Sequence, residues 1–119
     1  MELKTRKDFM QLLKQNPGLI FIKLGAKWCK PCAIIADVVR NVFEKMPEHI
    51  LTFDLDVDVS SDLFAFLKTK KMVQGIPTIL CYHTGNISYI PDDSVSGTDL
   101  QQIHDFFKTT EKFSFDEAR

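Results

Sequence analysis

The stretch Lys27-Trp28-Cys29-Lys30-Pro31-Cys32 lies where an apolar run of strand length ends and a helical pattern begins. Two cysteines separated by two residues at such a junction indicate a redox-active dithiol. The other interpretation of this spacing is half of a zinc site, which needs a second pair of ligands. No second C-x-x-C or His pair follows, although Cys81 and His83 could in principle complete a site. The sequence favours redox chemistry, and neither a metal ion nor a bound cofactor is expected.

Before the dithiol, the pattern predicts one helix and one buried strand. Thr5 is a candidate N-cap for a helix that ends at Asn16-Pro17-Gly18 and carries three apolar residues on one face, namely Phe9, Leu12 and Leu13. The nearly continuous apolar run from Leu19 to Leu24 is typical of a central strand that is covered on both faces. Lys23 interrupts that run.

After the dithiol, apolar residues recur at helical spacing: Ile34, Ile35, Val38, Val39, Val42, Phe43 and Met46. From Ile50 to Val59 the pattern changes to alternation, which predicts a second strand with its aspartates on one side, at positions 54, 56 and 58. Ser60 or Ser61 is a candidate N-cap for a third helix that ends near Lys71. The strand, helix and strand in this order indicate a βαβ unit with parallel pairing.

The last part of the sequence predicts a hairpin and a final helix. Ile76 to Tyr82 is apolar and β-prone, and Thr84-Gly85-Asn86 is expected to turn the chain into a second hairpin strand at Ile87 to Ile90. Thr98 is the expected N-cap of the final helix. Cys81 lies in the middle of an apolar strand, which favours a buried cysteine over a reactive one.

Length and charge place limits on the function. A chain of 119 residues that is 45% hydrophobic can bury one core, so we expect one domain over residues 1–111 and a C-terminal tail over residues 112–119. A net charge of -1 gives no field that favours nucleic acid or an anionic membrane. The first residues lack the apolar core of a signal peptide, and no apolar run approaches the roughly 18 residues needed to span a bilayer. We therefore expect a cytoplasmic monomer with neither nucleic acid nor a membrane as partner.

The order of elements, with Trp28-Cys29-Lys30-Pro31-Cys32 opening the second helix and Gly75-Ile76-Pro77-Thr78 opening a later strand, resembles thioredoxin over roughly residues 5–109. The resemblance implies an α/β thioredoxin fold, with a central mixed sheet of about four to five strands flanked by about four helices. It also implies an enzyme that reduces protein disulfides and is recycled by a thioredoxin reductase or another external electron donor.

The resemblance assigns roles to individual residues. Cys29 would be the nucleophile, because a helix N-terminus stabilises the thiolate, and Cys32 would resolve the mixed disulfide. Pro77 would be a cis proline packed against Cys29, with the backbone of Ile76 pairing with the extended substrate. The substrate-binding residues implied in this way are Trp28, Pro31, Ile76, Pro77 and Gly97, and Lys30 is added to them for its positive charge beside Cys29.

The sequence departs from thioredoxins in its charges. Thioredoxins usually carry a buried aspartate on the strand before the dithiol and a lysine on the next strand, whereas the matching positions here are Lys23 and Asp54. A swapped pair can still satisfy both charges, and the proton transfer at Cys32 would then fall to Asp54 or to a water beside it. The alternative is that one or both side chains reach solvent at a strand end. Lys27 and Lys30 add positive charge near the dithiol, which favours acidic docking surfaces.

Two other functions are compatible with the same residues. A thioredoxin-fold adaptor would bind a partner through the surface around Trp28 and Ile76, with an unused or regulatory dithiol. A disulfide isomerase or oxidase would share the mechanism but differ in redox potential, which the spacing of the cysteines does not determine.

Overall fold

The computed structural model describes residues 2–16 and 18–117, with side chains described as far as residue 110. The elements follow the predicted order αβαβαββα. They are α1 (Arg6–Lys14), β1 (Ile20–Gly25), α2 (Lys30–Glu44), β2 (Leu51–Asp56), α3 (Ser61–Thr69), β3 (Thr78–Tyr82), β4 (Asp93–Ser96) and α4 (Leu100–Glu117).

The four strands form one mixed sheet in the order β2-β1-β3-β4, which confirms the expected architecture. Strand β1 is parallel to β2 and antiparallel to β3, and β4 is antiparallel to β3. All six residues of β1 are buried, as its apolar sequence predicts. Leu24, near the end of β1, pairs with Thr78, the first residue of β3. The segment that follows β1 and the segment that precedes β3 therefore lie at the same end of the sheet.

The sheet separates two apolar clusters. One contains buried residues from α1, α3 and one face of the sheet, including Phe9, Leu12, Leu63, Ile22 and Leu24. The other contains residues from α2, α4 and the opposite face, including Phe21, Ile35, Val39, Ile103 and Phe107. Because successive side chains of a strand alternate between faces, Lys23 lies on the same face as Phe21, under α2.

Helix α1 begins as predicted and is joined to α3. Thr5 is its N-cap, and Thr5 and Asp8 form a capping box with hydrogen bonds in both directions. The guanidinium group and the backbone N–H of Arg6 donate to the carboxylate of Asp62 on α3. These bonds hold the pKa of Asp62 below its ordinary value of 3.8.

The predicted hairpin is wrong in its second strand. Residues 87–90 form no strand, and β3 pairs instead with Asp93–Ser96. The side chain of Asn86 accepts from the N–H of Ser88 and donates to the carbonyl of Ile90 and to the carboxylate of Asp92. These bonds fold residues 86–92 back onto the side chain of Asn86, so this segment does not extend alongside β3.

Two predicted helix caps also need correction. Asp99, and not Thr98, caps α4, because its carboxylate accepts from the N–H groups of Gln101 and Gln102. Ser60 occupies the N-cap position of α3 but makes no capping hydrogen bond, and its hydroxyl instead donates to the carbonyl of Leu3.

The last helix is longer than its apolar pattern indicates, since its backbone is helical through Glu117. Helix α4 therefore includes most of the predicted tail at residues 112–119. Side chains from residue 111 onward lie outside the described residues, so the domain boundary at 111 remains a prediction. Within the described part of the chain, no helix combines the length and apolar character needed to cross a membrane.

Candidate active site

The dithiol occupies the first turn of α2. Cys29 is the N-cap residue, and its Sγ accepts a hydrogen bond of 3.3 Å from the backbone N–H of Cys32. The two cysteines are joined as a disulfide with their Cα atoms 5.3 Å apart, and both side chains are buried. Pro31 lies within the first turn, where the missing N–H costs no intrahelical hydrogen bond. Backbone N–H groups and the positive end of the helix dipole therefore face the sulfur of Cys29.

Gly25 brings the end of β1 close to the second cysteine. A Cβ atom at this position would lie 3.4 Å from the Sγ of Cys32 and 3.6 Å from its Cβ. The chain then turns through a hydrogen bond from the N–H of Cys29 to the carbonyl of Ala26. Gly25 was not among the predicted site residues, although a glycine that ends a buried strand just before a C-x-x-C pair is a sequence signal for this close approach.

The segment before β3 lies at the dithiol end of the sheet. The Ile76–Pro77 peptide bond is cis, as the resemblance implied, and Pro77 is buried. The carbonyl of Pro77 accepts a 3.0 Å hydrogen bond from the N–H of Gly97, whose φ of +93° favours glycine. Because Leu24 pairs with Thr78, Pro77 is level with Gly25 and therefore close to the start of α2.

A groove of about 420 Å³ runs beside this cis proline. Its walls come from the end of α3, the segment before β3 and the end of β4. Three of the predicted substrate-binding residues, Ile76, Pro77 and Gly97, line it together.

Trp28 lies on the surface and is held in place. Its side chain is 67% exposed, and the indole N–H donates to the carboxylate of Asp58 over 2.8 Å. Asp56 in turn accepts from the backbone N–H groups of Lys27 and Asp58. The alternating pattern placed these aspartates on one side of a strand predicted to reach Val59, whereas β2 ends at Asp56 and Asp58 lies in the turn that follows. The pattern did not show that these aspartates fix the loop that carries Trp28.

Lys23 and Asp54 form an ion pair, with Nζ and Oδ1 3.2 Å apart on paired residues of β1 and β2. The side chain of Lys23 is 6% exposed, whereas that of Asp54 is 50% exposed. The swapped pair is therefore present, but only its lysine is buried. Both residues line a cleft of about 470 Å³ together with Cys29, Cys32 and Arg40. The cleft opens a path from solvent to the inner side of the dithiol.

The remaining candidates lie as follows. Lys27 and Lys30 are exposed on either side of Trp28 and Cys29. Cys81 is fully buried in β3, in the cluster beneath α2 and α4, as its apolar surroundings predicted. Among the described residues, no group of three or more His, Cys, Asp or Glu side chains is placed to hold a metal ion.

Comparison with known proteins identifies the family. The family model for thioredoxin matches residues 1–109. The chain belongs to the thioredoxin family. A thioredoxin from Pseudomonas aeruginosa is 27% identical to it over 101 residues, which cover 85% of this chain and 90% of that protein. A putative thioredoxin-5 from Dictyostelium discoideum is 34% identical over 86 residues, covering 71% and 76% of the two chains.

The fold agrees with this assignment. The crystal structure of a Plasmodium falciparum thioredoxin superposes with a TM-score of 0.68 at 27% identity, covering 91% of this chain and 84% of that chain. A thioredoxin whose C-x-x-C cysteines lie at disulfide distance is a thiol-disulfide oxidoreductase. Its substrates are protein disulfides, and a reductase returns it to the dithiol form.

Proposed function

We propose that this thioredoxin works in the reducing direction, with Cys29 as the attacking cysteine and Cys32 as the resolving cysteine. The observation that carries the proposal is the position of Cys29 at the N-cap of α2, where its Sγ accepts the N–H of Cys32. A thiolate at this position gains both that hydrogen bond and the positive end of the helix dipole. Thiolate is the form that attacks a disulfide.

The reaction runs in two exchanges. The Cys29 thiolate attacks one sulfur of the substrate disulfide, a bond forms between them, and the other substrate sulfur leaves as a thiolate that takes up a proton. Cys32 then loses its proton and attacks the Sγ of Cys29, which releases the second substrate sulfur as a thiol after protonation. The substrate gains two electrons and two protons, and the enzyme is left with the Cys29–Cys32 disulfide. An external dithiol or reductase returns the two electrons.

The proton of Cys32 leaves through the cleft that contains the Lys23–Asp54 pair. Asp54 is half exposed, so its carboxylate can accept a proton through a water molecule and exchange it with bulk solvent. The buried ammonium group of Lys23 favours the Cys32 thiolate as it forms. Lys23 is thus a positioning residue, and its charge is opposite to that of the aspartate that thioredoxins usually carry at this position.

Substrate docks over the exposed end of the molecule around the dithiol. Trp28, Lys30 and Pro31 provide one side of this surface, and the groove with Ile76, Pro77 and Gly97 provides the other. An extended substrate segment can pair with the backbone at Ile76, as in β-strand addition. We further propose that the protein acts as a cytoplasmic monomer with no nucleic acid or membrane partner. The balanced charge and the reduced state in which Cys29 must act support this proposal.

Reduction of insulin by dithiothreitol tests the function. The wild type should accelerate the reaction, whereas Cys29→Ser should not, and Cys81→Ser should retain the rate because Cys81 is fully buried. Equal rates for the wild type and Cys29→Ser would refute the enzyme and favour an adaptor. Equilibration of the dithiol with glutathione separates reductase from oxidase, because a reductase requires a potential below that of the glutathione pool.

The roles of Lys23 and Asp54 need a separate readout. Lys23→Met and Asp54→Asn should slow the second exchange and shift its pH profile, while the attack by Cys29 changes less. Single-turnover reduction of a peptide disulfide at several pH values measures both steps. An unchanged pH profile in both variants would rule out the proposed proton route.

A further inference from the structure

Lys71 has a backbone conformation that side chains rarely adopt. Its φ is +64°, the only positive φ at a described residue other than glycine. The N–H of Lys71 donates to the carbonyl of Lys68, and the N–H of Met72 donates to the carbonyl of Leu67, which together form a Schellman motif at the end of α3. Glycine satisfies this geometry without steric cost, so a lysine here retains a side chain at the expense of strain. A residue held in such a conformation is a candidate for a functional role.

The position of Lys71 suggests what that role is. It lines the groove beside Ile76 and Pro77, and among the described residues that line this groove it is the only charged one. Aspartates lie on the other side of the dithiol, where Asp54 and Asp56 line the separate cleft. The groove is therefore locally positive although the whole chain carries a net charge of -1.

The neighbouring lysines are engaged in other contacts. The ammonium group of Lys68 lies 5.6 Å from the ring centroid of Phe64, and that of Lys70 lies 5.6 Å from the ring centroid of Tyr89. Lys71 makes no ion pair and no ring contact within the described part of the chain. Its ammonium group is therefore available to a ligand in the groove.

We propose that Lys71 forms a subsite for an aspartate or glutamate side chain of the substrate segment that carries the disulfide. This inference rests on the proposed function, because it requires an extended substrate segment in the groove beside Pro77. An exposed ion pair contributes modestly, so Lys71 selects among substrates through KM and leaves the chemical steps unchanged. Lys30, next to Cys29, adds charge of the same sign.

Two synthetic peptide disulfides test the subsite, identical except that one has glutamate and the other glutamine beside the reacting cysteine. At low ionic strength, Lys71→Gly should lower kcat/KM for the glutamate peptide about two- to fivefold, the range of an exposed ion pair, mainly through KM. The glutamine peptide should be unaffected. The difference should disappear near 1 M salt, where the Debye length is about 3 Å. Lys71→Arg should preserve the preference.

The choice of glycine separates specificity from folding. Because glycine relieves the strain at this position, the urea midpoint of Lys71→Gly should not fall below that of the wild type. Lys45→Asn is the matched control, since it removes an exposed lysine at the far end of α2, about 24 Å from Cys29 at 1.5 Å per residue.

The outcomes distinguish the two proposals. Equal reduction of both peptides by the wild type, or an equal loss for both in Lys71→Gly, would overturn the subsite and leave the reductase intact. Loss of the preference in Lys45→Asn would also overturn it, because the preference would then reflect overall charge. Failure of the wild type to reduce either peptide in a Cys29-dependent way would refute the proposed function itself.

Discussion

The Lys23–Asp54 pair predicts a strong and unequal dependence of stability on its two members. Asp54→Asn leaves an ammonium group that is 6% exposed without its carboxylate. Breaking a fully buried pair costs about 3–5 kcal/mol and breaking an exposed pair about 0–1 kcal/mol. Because Asp54 is half exposed, we expect a loss of about 2 kcal/mol in the free energy of unfolding.

Lys23→Met should behave differently. It removes the desolvated charge and fills a similar volume, and the carboxylate of Asp54 regains water, so we expect a change of less than about 1 kcal/mol. The double variant should then resemble Lys23→Met alone. The change in the free energy of unfolding of the double variant should differ from the sum of the changes of the two single variants by about 2 kcal/mol.

Urea unfolding of the oxidised protein, followed by far-ultraviolet circular dichroism, measures all four free energies. Asp37 and Arg40 provide the matched control, since they form an ion pair on the surface of α2 with side chains 87% and 56% exposed. The same cycle there should give a coupling below about 0.5 kcal/mol. Additivity of Lys23→Met and Asp54→Asn within about 0.5 kcal/mol would refute the reasoning.

Three further predictions concern other parts of the molecule. Trp28→Ala should raise KM for protein disulfides with less than about 1 kcal/mol of destabilisation, because the indole is 67% exposed; a large fall in the urea midpoint would contradict this. Gly18→Ala should lower the free energy of unfolding by about 1–3 kcal/mol, since its Cβ would lie 2.7 Å from the carbonyl oxygen of His49. Gly75→Ala, with no atom within 4 Å of the added Cβ, should lower it by less than about 0.5 kcal/mol in the same urea-unfolding measurement. The hydrogen bonds from Arg6 lower the pKa of Asp62 in the folded protein. Their contribution to the free energy of unfolding is therefore fully present above about pH 4, the ordinary pKa of an aspartate, and is lost as the pH falls through the lower pKa of the folded state. Asp62→Asn should flatten the fall in stability below about pH 4, and an unchanged slope would show that this contact does not contribute.

The parts of the fold that were predicted correctly carry strong local patterns. The apolar run of β1, the stripe along α2 and the alternation along β2 each extend over six or more residues, so their periods are clear. Strand β4 has the sequence Asp-Ser-Val-Ser, with Val95 as its single apolar residue packed on the core. It therefore gives little periodic signal, and the more apolar segment at 87–90 was chosen in its place.

The site shows the same limit. The two cysteines were predicted from their spacing at a strand-to-helix junction, and the cis Pro77 was predicted from the resemblance to thioredoxin. Asp54 is half exposed because β2 lies at the edge of the sheet. The alternating pattern of a single strand does not indicate its position in the sheet, so the exposure of Asp54 could not be predicted from it. The strain at Lys71 was likewise invisible, since a lysine near a helix end is an ordinary feature of a sequence.

Trapping of the mixed disulfide tests the central claim most directly. Cys32→Ser cannot carry out the second exchange, so incubation with a disulfide-bonded peptide should give a covalent adduct of protein and peptide, with the peptide attached at Cys29. Cys29→Ser should form far less adduct under the same conditions. Mass spectrometry of the digested adducts identifies the linked residue. Attachment mainly at Cys81, no adduct with Cys32→Ser, or as much adduct at Cys32 in Cys29→Ser, would contradict the account of Cys29 as the nucleophile at the N-terminus of α2.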